Sequence, residues 1–233
     1  MELLSACIKQ IRKYYPNNRI LVCKTSDSSV PDISGHQVEL YNTFVNGSRI
    51  IGAIELLIRK CETKHFIIFH DSMFLLKPLP INILHRPFYN LWHFNEKSRY
   101  MYSYEIEEYV KRLNIAQGDL DKLHKMYRSS LDKEWNGVFG PAFGGTIDTL
   151  RTMWSIMNIN DENIKPYLSL KGLMASERII AIILTYMGFN IEQSLNGNVY
   201  QYPSAFIETP IPDFDTFTYG ESYFYKISKK RQG

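Results

Sequence analysis

The segment His65-Phe66-Ile67-Ile68-Phe69-His70-Asp71-Ser72-Met73 is an apolar run that ends in a carboxylate. A second apolar patch and prolines follow it. Four consecutive large apolar residues are the pattern of a strand buried on both faces. In open α/β sheets, ligands bind at the carboxyl ends of such strands. Asp71 is therefore the first candidate for chemistry.

Working outward, residues 2–15 have the spacing of an amphipathic helix, with Leu3, Leu4, Cys7, Ile8, Ile11 and Tyr15 on one side. Pro16-Asn17-Asn18 breaks it, and Arg19 to Thr25 reads as a strand before a polar Ser/Asp loop. Gly47 or Ser48 opens a second helix with Ile51, Ile54, Leu57 and Ile58 facing inward, which leads into the strand ending at Asp71. Helix–strand–loop–helix–strand is the alternation that predicts a parallel sheet with crossovers. Further on, Phe88 to Phe94 reads as a strand, and Glu105 to Leu113 and Leu120 to Ser129 as helices. Val138 to Ile147 reads as a strand whose glycines admit a second backbone or a ligand at close range. A helix from about Ser176 to Met187 ends at Gly188, a C-cap, and a strand-like piece, Asn198 to Tyr202, precedes an irregular, proline-bearing tail.

With 233 residues, 45% hydrophobic and 22% charged, the chain has the size and composition of one soluble domain. A net charge of +3 is too mild to point to nucleic acid. Much of that excess lies in Lys226, Lys229, Lys230 and Arg231, a solvated terminus or a peripheral contact with an anionic membrane. Cys7, Cys23 and Cys61 have neither CxxC spacing nor a nearby histidine pair, so they read as thiols in a reducing compartment. Apolar runs such as Ile179 to Leu184 are too short to span a bilayer, and Met1-Glu2-Leu3-Leu4 lacks the character of a secretion signal. A cytoplasmic location is expected.

Two readings of Asp71 stand side by side: a cap for the following turn, or a ligand for a cation holding a diphosphate. His70 is a second ligand or a hydrogen-bonded strand end. Glu177 lies among Leu173, Met174, Ile180 and Ala181 at helical spacing. A carboxylate there is costly unless paired or functional, and desolvation would suit it to general-base work. Its structural alternatives are a place in the first helical turn or a pairing with arginine. Ser26 and Asp27 form either an Asx turn or a contact to a nucleoside. Trp135-Asn136-Gly137 stacks on a sugar or sits in the core. No Walker loop, GxSxG elbow, GxGxxG or HExxH is present.

Five pieces, in order, resemble a glycosyltransferase of the GT-A fold, family-2-like and of the compact type of large DNA viruses or bacterial polysaccharide clusters. They are Ser5 through Pro16 with Ile20-Leu21-Val22, then Thr25-Ser26-Asp27-Ser28-Ser29, His70-Asp71-Ser72, Trp135-Asn136-Gly137-Val138-Phe139-Gly140, and Ser176-Glu177-Arg178. The resemblance covers roughly residues 5–202. It implies a Rossmann-type mixed sheet flanked by helices, lacking the usual first strand, in a single domain over residues 1–233. Residues 1–80 would be the nucleotide-binding half, 81–205 the acceptor half and 206–233 an irregular basic tail.

The activity implied is transfer of a sugar from a nucleotide-sugar donor to an acceptor hydroxyl, with inversion. Glu177 is then the general base, and Asp71 stands at the donor diphosphate with a divalent cation, Mn²⁺ or Mg²⁺. Ser26, Asp27 and His70 contact the donor, and Trp135, Asn136 and Gly145 the acceptor glycan. Ser72 follows Asp71 where the family carries a second carboxylate, and no histidine occurs after His124. The alternative is a degenerate GT-A-like module that binds without turnover.

Overall fold

In the computed structural model the described residues are 2–24, 33–42, 49–69, 73–79, 88–94, 103–130, 135–160, 163, 170–189, 197–198, 213 and 224–226. Among them the chain is a mixed α/β protein with six α-helices and three small sheets. The amphipathic opening forms α1 (Glu2–Tyr14), stopped at Pro16, and β1 (Leu21–Lys24) follows. β2 (Glu39–Asn42) lies in the stretch read as a polar loop and pairs with β1 in parallel, Leu21 opposite Glu39. α2 (Arg49–Lys60) turns Ile51 and Ile54, both 0% exposed, into the main core.

β3 (His65–Ile68) carries the apolar run. Phe66 and Ile68 enter the main core, whereas Ile67 and Phe69 pack against a smaller cluster of Met73, Leu75 and Leu79. Both faces are apolar, as the run required. Its pairing is not the expected one. β3 runs antiparallel to β6 (Trp135–Thr146), Phe66 opposite Gly145, and β6 also pairs antiparallel with β5 (Phe88–Phe94). The parallel pairing expected from the alternation is found between β1 and β2, because the short strand hidden in the loop supplies β1 with a partner.

Between Tyr89 opposite Phe143 and Leu91 opposite Val138, β5 has one residue where β6 has four, Phe139 to Ala142. Pro141 cannot donate to a ladder and sits inside this irregularity, where a sheet tolerates proline. α6 (Leu170–Tyr186) packs on β6.

α5 (Ile147–Met157) begins where the glycine-rich strand ends and was not foreseen. Thr146 caps it, accepting from the Thr149 N–H at 3.2 Å, and Asp148 sits in the first turn. Ile147, Leu150, Met153, Ile156 and Met157 give its buried face, and Asn158 closes it with φ 52°. α3 (Ser103–Val110) and α4 (Gln117–Ser130) complete the helical layer.

α6 is the centre of that layer. From Ala175 to Leu184 every residue whose side chain is described is at most 2% exposed, so the helix is buried around its whole circumference. Each fully buried isoleucine contributes about 2 kcal/mol. Gly188, with φ 86°, ends the helix: its N–H donates to the Thr185 carbonyl and that of Phe189 to the Leu184 carbonyl, both at 3.0 Å. This is the paired hydrogen-bond pattern of a glycine C-cap, and the expected stop is found.

Two pieces of the C-terminal region are strands. β7 (Gly197–Asn198) pairs in parallel with β8 (Phe224–Lys226), and β8 pairs antiparallel with β4 (Met73–Leu75). Lys226 therefore belongs to a strand rather than to an irregular tail.

Candidate functional site

Ser26, Asp27, His70 and Asp71 lie outside the described residues. What the structure gives for them is the anchoring on either side. β1 leads to Ser26 and Asp27, and β3 and β4 bracket a four-residue link, 69–72. On the near side Ile68 is paired opposite Phe143. On the far side β4 is buried along its length, with Met73 at 1% and Phe74 and Leu75 at 0%.

α1 holds the segment after the link by directional bonds. The Cys7 thiol donates to the Met73 carbonyl at 2.8 Å, and the Tyr14 hydroxyl to the Leu76 carbonyl at 2.5 Å. The Tyr15 hydroxyl accepts from the Leu79 N–H at 2.7 Å. Cys7 is thus a core thiol with a structural task. Cys61 and Cys23 are free and partly buried, and burial pushes the Cys23 thiol up to about 11, which keeps it protonated.

Arg12, on the same helix, acts as a clamp on backbone oxygens. Its guanidinium donates to the carbonyls of Pro16 at 3.0 Å, Asn18 at 2.5 Å and Gln37 at 2.8 Å, with longer bonds to Tyr15 and His36. Ser5 Oγ and His36 Nε2, 2.7 Å apart, add a second tie to the same turn. α1 thereby fixes both the approach to β1 and the start of β4, the two elements that flank the donor-side residues.

Glu177 is the eighth residue of α6, because that helix begins at Leu170, six residues earlier than its sequence suggested. The first-turn explanation for this carboxylate is thereby removed: two turns in, the field of the helix N-terminus has faded. Its i+3 and i+4 neighbours, Ile180 and Ala181, are both 0% exposed. The flanking Ser176 and Arg178 are each 1% exposed, the buried polar residues among the described ones. A guanidinium that deep is stable only when its donors are satisfied. In α4, burial pushes the Tyr127 phenol up to about 12, against the electrostatic pull of the Arg178 guanidinium. Arg178 carried no weight as a single residue in the sequence. Apolar residues at i−3, i+3 and i+4 (Ala175, Ala181 and Ile182) are the signal that marks it as buried.

The acceptor residues are not brought together. Trp135 and Asn136 stand in β6 opposite Phe94 and His93 of β5, whereas Gly144 stands opposite Phe88. Six residues of β5 separate the two places, about 20 Å along the sheet. Gly145 itself is buried, beside a cavity of about 10 Å³ lined by Phe66, Phe143, Leu150 and Leu184. That is room for one water, in an apolar setting that keeps it dry. At Gly145 the neighbouring backbone is that of β3, paired at Phe66.

Among the described residues no group of three His, Cys, Asp or Glu side chains could hold a metal, and no helix is long and apolar enough to cross a membrane. Compared with known proteins, the sequence matches no family model, and no curated protein or solved structure matches it.

Proposed function

We propose that the chain is a nucleotide-sugar-dependent glycosyltransferase that inverts the anomeric centre. The observation that carries this reading is the place of Glu177, two turns inside a helix buried on all sides, between Ser176 and Arg178 and on the element that packs against β6. A carboxylate in such surroundings favours its protonated form and accepts a proton readily at neutral pH. Glu177 takes the proton of the acceptor hydroxyl as that oxygen attacks the anomeric carbon. The bond from that carbon to the diphosphate breaks, and the nucleoside diphosphate leaves with the electron pair. Asp27 would meet the nucleoside, and Asp71, on the short link between β3 and β4, would face the donor diphosphate.

The link offers a cation little. Asp71 is its single carboxylate, with His70 and Ser72 beside it, and the flanking residues Ile68, Phe69, Met73 and Phe74 are apolar. Mn²⁺ or Mg²⁺ takes several oxygen ligands, so this donor set fits a resident metal poorly and no step runs through one. The same poverty of carboxylates favours a second reading, a GT-A-like module that binds a glycan or a partner subunit without turnover.

Glu177→Gln keeps the size and removes the base. It is expected to reduce transfer by about 10²–10⁴-fold while donor binding and melting temperature stay unchanged. Retained turnover would overturn the base assignment. A thermal-shift panel of UDP-, GDP-, CMP- and dTDP-sugars decides between enzyme and module, because a bound donor stabilises the native chain by mass action. Stabilisation by none of them favours the module.

A further inference from the structure

Away from Glu177 and the link between β3 and β4, the fold brings a nucleophile and a base together. Ser5 Oγ of α1 and His36 Nε2 lie 2.7 Å apart, from positions 31 residues distant in sequence. Both residues are part-exposed, so a small molecule reaches the pair from solvent. His36 ends a one-turn helix, Ser34–His36, and Gln37 after it has φ 50°. A non-glycine residue stays in that region only where its surroundings enforce it. Here Arg12 does so: its guanidinium donates to the Gln37 carbonyl at 2.8 Å and to the His36 carbonyl at 3.4 Å. The His36 N–H also donates to the Ile33 carbonyl at 3.0 Å. Nucleophile and base are thus set by one helix, which carries the first and clamps the backbone of the second. Lys9 stands between Ser5 and Arg12 at helical spacing, on the side of α1 that meets the 36–37 turn, and is exposed.

We propose that Ser5 and His36 form a nucleophile–base pair that accepts acyl groups from activated esters, an activity independent of glycosyl transfer. A serine hydroxyl is weak by itself and is activated by an imidazole within hydrogen-bond reach. Unprotonated His36 Nε2 accepts the hydrogen bond of Ser5 and takes its proton as Oγ attacks the carbonyl carbon of the ester. A bond forms between Oγ and that carbon. The bond from the carbon to the leaving oxygen breaks, and the leaving oxygen takes the electron pair and then the proton held by His36. The charge that builds on the carbonyl oxygen during the attack is met by the Lys9 ammonium. Water, deprotonated by the same imidazole, afterwards attacks the acyl ester at Ser5. The acid is released and the proton returns to Oγ.

The test uses p-nitrophenyl acetate as the probe on the full chain, with peptide mapping by mass spectrometry after an acid quench. Acetylation of Ser5, with release of p-nitrophenolate, is expected in the wild type. Ser5→Ala should abolish it, and Ser5→Cys, which keeps a nucleophile beside the imidazole, should restore it. His36→Gln keeps a hydrogen-bond partner for Ser5 and removes the base, so acetylation of Ser5 should slow by about 10²-fold or more. A purely structural tie between the two side chains would not produce that loss. Melting temperatures of all variants, measured alongside, separate a chemical loss from a folding one. A wild type left unacetylated at Ser5, or acetylated at lysines alone, overturns the proposal without any variant. Equal acetylation of Ser5 in wild type and His36→Gln overturns it as well.

Discussion

Along α1 the ties are directional: a thiol and two phenols meet backbone atoms of β4 and the segment just after it, and a guanidinium meets carbonyls of the 15–18 and 36–37 turns. Around α6 they are not. That helix is held by removing isoleucine, leucine and alanine side chains from water on every side, with Ser176 and Arg178 as its buried polar members. Directional bonds fix where a segment lies and add modest net stability, because each replaces a bond to water. Apolar burial adds more stability but constrains position through shape alone. The region that flanks the donor-side link is thus the positioned one, and the helix that carries Glu177 is the stable one.

The largest effect is expected in α6. Ile183→Ala, at a residue 0% exposed, should cost about 3 kcal/mol, seen as a lower midpoint in urea denaturation. Arg12→Ala should cost about 1 kcal/mol by removing the fork that ties the 15–18 and 36–37 turns together, since water can reach the exposed carbonyls it leaves. Lysine should not restore it, since one ammonium cannot reproduce the fork. If Arg12→Ala proves the costlier of the two, the contrast between a positioned and a stable region collapses.

The smallest effect lies on the surface. The Arg19 guanidinium, with help from the Tyr41 hydroxyl, holds the Glu39 carboxyl at about 2, well below its ordinary 4.5. A carboxyl depressed in the folded state stabilises fully above its ordinary value, and that stabilisation fades as pH falls from 4.5 toward 2. Melting temperature should therefore drop on acidification through that window, and less steeply in Glu39→Gln. An identical acid limb in the two proteins would mean that this exposed pair contributes nothing.

Periodic elements were legible in the sequence and pairings were not. α1, α2, β1, β3 and α6 carry strong apolar patterns, and Pro16 and Gly188 punctuate them. α5 escaped because Ile147 was absorbed into the strand before it, although Thr146 with Asp148 is a cap signal and Leu150, Met153 and Met157 keep helical spacing. β2 and β8 are short strands whose partners are supplied from elsewhere, so nothing local announces them. For the candidate site, the unusual setting of Glu177 was readable from its neighbours. The early start of its helix was not, because Leu170 through Ala175 reads as well as loop as it does as helix.

The pairing of β4 with β8 also bears on how the chain is made. Leu75 and Phe224 are joined across roughly 150 intervening residues, among the longest closures a domain of this size can contain. At ribosomal speeds of about 5–20 residues per second, β4 waits on the order of ten seconds before its partner exists. During that interval a strand with three buried apolar residues, Met73, Phe74 and Leu75, has an open edge. The early grip of Cys7, Tyr14 and Tyr15 on this segment comes from residues synthesised before it. The partners that α1 offers this segment thus exist before β8 does.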